Sequence, residues 1–491
     1  MSTTTDTDTT ATDTTATDTT ATTTDPPDLD ASVPGSTTTD PAASPPAAGS
    51  RPHWIDDWRP EDTEFWETTG KTIARRNLAF SILSEHIGFA VWSLWSVFVL
   101  FLGDDYGFTP AQKFLLTTVP TALGAFLRLP YTFAVAKFGG RNWTIISSGL
   151  LLVPCISAWF VLEPGVDFST MLIVAAIAGV GGGNFSSSMA NIDSYYPQRL
   201  KGWALGLNAG GGNLGVAAVQ LVGLAVLATV GKEHPRVMLG VYIPLVVVAT
   251  LCAALFMDNL THATNEKRGM RDVSRDPHTW IMSFLYIGTF GSFIGFSFAF
   301  GQVLQVQFAE QFDTPIKAAS LTFLGPLIGS LIRPVGGRLA DRFGGSRVTI
   351  VNFMGMAVGA GLVLTASIAE SLPLFIAAFI ALFTMSGLGN GSTYKMIPAI
   401  FTAKAARKVA AGADMDAEAR TARRLSRALI GIAGSIGAFG GVFVNLGLRQ
   451  SFLSSGSADA AYVGFIAFYV ACVIVTWTVY RRPSPTRLAG V

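Results

Sequence analysis

The chain has 491 residues, half of them hydrophobic and only 14% charged, with a mean hydropathy of +0.44. A soluble protein carries about a quarter charged residues, so this composition excludes a soluble globular chain and points to a polytopic membrane protein. The net charge of +1 averages an acidic tail against basic loops, and the three cysteines sit in apolar runs with neither a disulfide framework nor a metal spacing.

Residues 1–50 are mostly Thr, Asp, Ala, Pro and Ser, with Ala-Thr-Asp-Thr-Thr recurring. They offer almost nothing to bury and predict a disordered Thr/Asp/Pro-rich cytoplasmic tail. Without a basic start and an apolar centre they are not a signal peptide. Residues 51–76 set Trp54, Trp58 and Trp66 among acids, ahead of Lys71, Arg75 and Arg76. This reads as an amphipathic pre-membrane segment lying on the membrane surface, or as an ordered linker without lipid contact.

Apolar runs long enough to span a bilayer, roughly 20 residues each, recur about twelve times. They fall at 78–102, 113–138, 142–162, 170–192, 203–230 and 237–257, then at 280–306, 317–342, 347–368, 372–399, 425–448 and 461–480. A cytoplasmic linker, 258–279, separates an N-terminal six-helix half, 77–257, from a C-terminal six-helix half, 280–480; residues 481–491 form a C-terminal tail. Basic loops (Arg75/Arg76, Lys137/Arg141, Arg342/Arg347) alternate with acidic ones (Asp104/Asp105, Glu163/Asp167, Glu310/Asp313). The positive-inside rule then puts both termini in the cytoplasm of a multi-pass cell-membrane protein. The alanine-rich, charged stretch 402–424 predicts a cytoplasmic surface helix between the tenth and eleventh spans.

Two arginines lie deep in these runs: Arg128, closing Gly-Ala-Phe-Leu-Arg, and Arg333, closing Gly-Ser-Leu-Ile-Arg. Translocon scales put such an arginine at roughly 2.5–3.5 kcal/mol. A constant shift of 205 residues relates Gly124, Arg128, Phe138, Gly139 and Gly140 to Gly329, Arg333, Phe343, Gly344 and Gly345. Five identities at one shift imply a pseudo-two-fold axis, with a site at the midplane between the halves. The planar guanidinium fork fits a planar oxyanion. The plainer alternative is pairing with an internal carboxylate, but Glu85 alone lies at similar depth, and one acid cannot neutralise two arginines.

Glycine clusters mark the fourth, fifth, tenth and eleventh spans, as in Gly179-Val-Gly-Gly-Gly-Asn and Gly431-Ile-Ala-Gly-Ser-Ile-Gly. In a bilayer, small residues let helices approach closely. A phosphate-cradling loop would need a preceding strand and a soluble βαβ unit, and neither is present.

The loop closing the eighth span, Gly337-Arg338-Leu339-Ala340-Asp341-Arg342-Phe343-Gly344-Gly345, resembles the Gly-x-x-x-Asp-Arg-x-Gly loop of the major facilitator superfamily. That resemblance implies that Gly337, Asp341 and Arg342 hold helices of one half together in one gate state. The glycine-rich fifth and eleventh spans resemble the signatures of the nitrate/nitrite porter family, a branch of that superfamily. So do Leu-Arg128-Leu-Pro-Tyr, Ile-Arg333-Pro-Val-Gly-Gly and the seventh span from Trp280. The likeness covers about 75 to 480 and not the tail. It implies that Arg128 and Arg333 clamp the anion, Asn213 and Tyr286 hydrogen-bond it, Phe185 and Phe290 close the pocket, and the backbone at Gly431 approaches it. Ser84-Glu85-His86-Ile87-Gly88-Phe89 resembles the first span of members that couple to protons; the alternative is that Glu85 is a fixed counter-charge.

The expectation is an all-α major facilitator fold that moves nitrate and nitrite by alternating access, through proton-coupled import or nitrate/nitrite exchange. The rivals are an organic-anion or phosphate antiporter and a nitrate-binding sensor. No nucleophile–base constellation points to an enzyme. The expected partners are the anion, protons and the lipid bilayer, with no cofactor, no metal and no nucleic acid, and the expected state is a monomer.

Overall fold

The computed structural model describes residues 52–261, 267–483, 488 and 490–491. The predicted tail 1–50 lies outside the described residues, as does part of the linker. Among the described residues, twelve helices are long and apolar enough to cross a membrane. They are α1 (Thr63–Phe101), α2 (Pro110–Phe138), α3 (Gly140–Val161), α4 (Phe168–Tyr195), α5 (Gln198–Thr229) and α6 (Arg236–Phe256), then α7 (Pro277–Gln307), α8 (Pro315–Phe343), α9 (Gly345–Ile368), α10 (Leu372–Ala410), α11 (Met415–Ser455) and α12 (Asp459–Arg481). A helix closes its own backbone hydrogen bonds, which is what a chain in hydrocarbon requires. The protein is thus an all-α, twelve-helix membrane protein with two six-helix halves.

The repeat in the sequence is also a repeat in backbone geometry. Gly139 ends α2 with φ +88° and Gly344 ends α8 with φ +91°, a conformation that a Cβ resists. Glycine contacts recur in pairs as well. A methyl group on Gly215 would fall 2.1 Å from the His86 carbonyl oxygen, and one on Gly440 would fall 2.8 Å from that of Ile287. Bare backbone on α5 and α11 therefore lets each lie directly on the first helix of its half.

Two stretches differ from one of the readings above; for 52–76 the packing agrees with the ordered linker rather than with a segment lying on the membrane surface. Residues 52–76 pack on the protein. β1 (Trp54–Ile55) pairs in parallel with β2 (Asn259–Leu260). Trp66 is buried with its ring 5.5 Å from that of Tyr196 at a 60° tilt, and Trp58 donates its indole N–H to the Ser194 carbonyl at 3.2 Å. The tryptophans cover the ends of α4 and α5, because the exposed edges there offer both apolar area and an acceptor. Asp258 fixes the junction, taking Arg76 at 2.5 Å and Asn77 at 3.3 Å. The second difference is 402–424, which forms no separate surface helix. α10 runs on to Ala410, a turn with Gly412 at φ +96° follows, and α11 begins at Met415. Alanine, lysine and arginine favour helix strongly enough to carry both spans past their apolar parts.

The face carrying β1, β2 and the linker helix (Lys267–Ser274) is called the linker face below. On the opposite side the halves are joined by hydrogen bonds. Thr117 donates to Asn445 at 3.0 Å, Gln302 to the Pro110 carbonyl at 2.7 Å, and Arg449 to that of Ala111 at 3.2 Å.

The α7–α11 crossing gives a direct check on close packing. Valine at Gly440 would place its Cβ 2.6 Å from Gly291 Cα and 2.8 Å from the Ile287 carbonyl oxygen. Overpacking costs about 1–3 kcal/mol, and a backbone obstacle cannot swing aside. Gly440→Val is expected to lower the apparent melting temperature of the purified protein by several degrees; an unchanged melt would contradict the contact.

Candidate functional site

Arg128, on α2, is fully buried. Its Nε donates to the Gly182 carbonyl of α4 at 3.2 Å and its Nη1 to the Gly434 carbonyl of α11 at 2.9 Å, so one guanidinium bonds both halves. Glycine makes the first bond reachable: a methyl group on Gly182 would lie 2.8 Å from Gly124 Cα, so α4 and α2 touch through bare backbone. Aromatic rings surround the charge. The guanidinium carbon lies 4.6 Å from the Phe185 ring centre, 4.8 Å from Phe290 and 5.4 Å from Trp92. Ring faces stabilise a desolvated cation by about 2 kcal/mol, less than the several kcal/mol that removing it from water costs.

Arg333, on α8, is buried too. Its Nη2 donates to the Tyr286 hydroxyl at 3.2 Å, and its guanidinium carbon sits 5.5 Å from the Tyr394 ring. Tyr286 stacks on Phe290 at 5.3 Å and 8°, and Phe290 on Phe185 at 6.1 Å. A wider π turn over Ile287–Gly291 sets Tyr286 and Phe290 on one side of α7; such turns often sit at functional sites. Contacts thus run without a break from Arg128 through Phe290 and Tyr286 to Arg333. Neither guanidinium bonds a carboxylate among the described residues, and Nη2 of Arg128 and Nη1 of Arg333 are buried without acceptors.

Glu85, also fully buried, lies beside this chain in α1, within electrostatic reach of both arginines. Its Oε2 accepts from Ser188 of α4 and, at 2.7 Å, from Asn208 of α5; its Oε1 has no partner. Gly212 makes room for it, since a methyl group there would sit 2.2 Å from Oε1. His86 turns the other way. Its Nδ1 meets the Gly211 carbonyl at 3.0 Å, and because a carbonyl only accepts, Nδ1 carries the proton. Glu85 and His86, adjacent in sequence, therefore do not share partners. Asn213 is fully buried, and both atoms of its amide lack partners.

A cavity open toward the linker face reaches this cluster. Phe185, Met189, Tyr394 and Gly431 line its inner part, while Asp193, Arg427 and Met270 of the linker helix line its outer part. Gly431 faces this cavity; the carbonyl held by Arg128 belongs to Gly434, three residues further along α11. Asp193 joins Lys201 at 3.2 Å and, across the halves, Arg427 at 2.6 Å. The Gly337–Gly345 loop stands apart from the cluster. There Asp341 pairs with Lys395 of α10 at 2.9 Å, Gly337 leaves room for that lysine, and Arg342 lies over Phe343 at 5.1 Å. The Asp341–Lys395 bond ties α8 to α10 within one half.

Sequence reasoning missed Asn208, Ser188, Tyr394 and the two glycine carbonyls. Asn208 lies in the glycine-rich fifth span and Ser188 in a Ser-Ser-Ser run of the fourth, so the polar atoms are visible in the sequence but their direction is not. A charged hydrogen bond contributes about 1.5–3 kcal/mol. Asn208→Ala is expected to lower stability by that order in the native background and by much less in a Glu85→Gln background. Equal losses, read from thermal melts, would show that Asn208 does not act through Glu85.

Three comparisons bear on this architecture. The sequence pattern of the Major Facilitator Superfamily matches residues 81–415. The chain is 39% identical to the nitrate/nitrite transporter NarU of Salmonella typhimurium, over 88% of this chain and 97% of that one. It is 38% identical to NarU of Escherichia coli (87% and 96%) and 31% identical to the probable nitrate/nitrite antiporter NarK2 of Thermus thermophilus (87% and 97%). Among solved structures, the xylose transporter XylE from E. coli superposes with a TM-score of 0.60 at 13% identity, covering 84% of this chain and all of that one. At that identity the likeness concerns the fold alone. From the pattern match and the extent of these identities, the chain belongs to the major facilitator superfamily and, within it, to the family of the nitrate/nitrite transporters.

Proposed function

We propose that this chain carries nitrate and nitrite across the cell membrane by alternating access, as a monomer with both termini in the cytoplasm. The observation that carries the reading is the pair of buried guanidinium edges, Arg128 Nη2 and Arg333 Nη1, left without acceptors on the two halves. A flat monovalent oxyanion offers acceptors to both edges in the plane that a guanidinium prefers. The names and identities of the NarU relatives support the same substrate class.

In this reading Arg128 and Arg333 clamp the anion, Asn213 and Tyr286 complete its hydrogen bonds, and Phe185 and Phe290 keep water out, so charge attraction acts in a low dielectric. Gly431 belongs to the wall of the approach. The halves rock about this point, with the bare glycine crossings as sliding surfaces, and Gly337, Asp341 and Arg342 brace α8 against α10. Coupling runs through Glu85. With its carboxylate ionised, one bound anion makes the cluster neutral, while the empty cluster keeps one positive charge, which supports exchange. A proton on Glu85 that travels with the anion leaves loaded and empty carriers with equal charge, which supports proton-coupled import. His86, turned toward α5, plays a lesser part.

Counterflow of nitrate against nitrite in liposomes containing only this protein tests the function, and no exchange of either anion would refute it. Arg128→Lys and Arg333→Lys are each expected to cut uptake at least about tenfold at equal folded amounts, because an ammonium lacks the planar fork. Near-normal uptake in either variant would remove the clamp. Glu85→Gln is expected to abolish uptake driven by a pH gradient while nitrate/nitrite exchange continues. Parallel loss of both would make Glu85 structural, and no loss of either would make it a spectator.

A further inference from the structure

Tyr394 does not belong to the sequence repeat. The shift of 205 residues that relates the arginines sets Met189 opposite it, so the phenol exists in one half only. Its ring forms part of the cavity wall on the side of Arg333. The Arg333 guanidinium lies 5.5 Å from that ring, and the Tyr286 ring lies 6.1 Å away at 47°. The hydroxyl is hidden from the surface and has no hydrogen-bond partner. It is within electrostatic reach of Asp193 at the cavity rim and of Glu85 in the interior. A buried hydroxyl without a partner is costly. Phenylalanine would keep the ring over Arg333 without that cost. The hydroxyl therefore answers to something that occupies the site for part of the cycle.

We propose that Tyr394 is a specificity-determining residue that donates its hydroxyl hydrogen bond to the bound anion at the Arg333 end and favours nitrate over nitrite. This rests on the transport reading above. Nitrate has three oxygens and nitrite two. The Tyr286 oxygen already accepts from Arg333. The free edges of Arg128 and Arg333, with the O–H of Tyr286 and the amide of Asn213, serve two anion oxygens, and the Tyr394 donor finds its acceptor in the third. A site built to donate to one particular atom discriminates against the ligand that lacks it, because the donor is then left unpaired.

The test is equilibrium binding of sodium nitrate and sodium nitrite, separately, to the purified full-length chain. In Tyr394→Phe, nitrate affinity is expected to fall about tenfold while nitrite affinity changes by less than about twofold, the loss of one oriented donor. Parallel weakening of both anions would make Tyr394 a mere support for Arg333, and no change in either would leave its hydroxyl without a role; each overturns the proposal. Replacing Tyr394 with p-aminophenylalanine keeps an N–H donor in nearly the same place. That substitution is expected to preserve the preference, and loss of preference with a normal melt would also overturn the proposal. It decides the question even if the phenylalanine variant fails to fold. A native chain that binds neither anion would instead sink the transport reading, and this inference with it.

Discussion

Two guanidinium charges buried in one bundle, with a single carboxylate near them, are the constraint to which the rest of the interior answers. Removing an ion from water costs several kcal/mol after relaxation. Arg128 recovers part of that through the Gly182 and Gly434 carbonyls and the faces of Phe185, Phe290 and Trp92, and Arg333 through Tyr286 and Tyr394. None of these groups carries a negative charge. They hold the arginines in fixed directions without neutralising them, as oriented dipoles do in a preorganised site. Glycine is the means: a side chain at Gly182 would meet Gly124 Cα, push α4 from α2 and carry the Gly182 carbonyl away from Arg128, while one at Gly124 would meet the Trp92 indole of α1.

The halves share a scaffold but not their chemistry. Gly212 and Gly215 lie against Glu85 and His86; Gly437 and Gly440, in the same spacing on α11, lie against Tyr286 and Ile287. The structural equivalent of the Glu85 carboxylate is therefore the Tyr286 phenol. Within each half the corresponding helix carries an arginine, yet among the described residues only the N-terminal half carries a carboxylate beside it. When the halves move relative to one another, Glu85 travels with Arg128 and changes its distance to Arg333. The field at the site is thus coupled to the conformation of the carrier, and an exact internal copy would lack that asymmetry.

Hydropathy made the twelve helices legible, and a fixed shift between identical residues made the two halves legible, because bilayer thickness and repetition both act along the sequence. Arg128, Arg333, Tyr286, Phe185 and Phe290 could be singled out before any coordinates, and they do fall into one contact chain. What sequence could not supply was direction. Trp58 and Trp66 have the composition of a membrane-surface segment, but they turn onto the ends of α4 and α5, a choice made by acceptors far away in the chain. The carbonyls on Arg128 belong to glycines, whose backbone polarity leaves no trace in composition. Asn208 and Ser188 carry no sign in the sequence that both bond Glu85. Stretch 402–424 shows the opposite limit: its charge suggests a surface element, whereas its alanines simply prolong α10 and α11.

The two ends of the half interface are fastened by different physics. On the side away from the linker, Thr117, Gln302 and Arg449 donate to neutral acceptors. At the cavity rim the fastening is the ion pair of Asp193 with Arg427, with Lys201 sharing the carboxylate. Dissolved salt screens solvent-exposed charges over a Debye length of about 8 Å at physiological ionic strength and acts much less on buried ones; in this ion pair the Arg427 side chain is 55% exposed and the Asp193 side chain 12%, while short bonds to neutral acceptors are nearly untouched. Ionic strength is therefore a one-sided variable for this molecule. It acts on the rim clasp through the exposed side of Arg427 and leaves the opposite clasp alone.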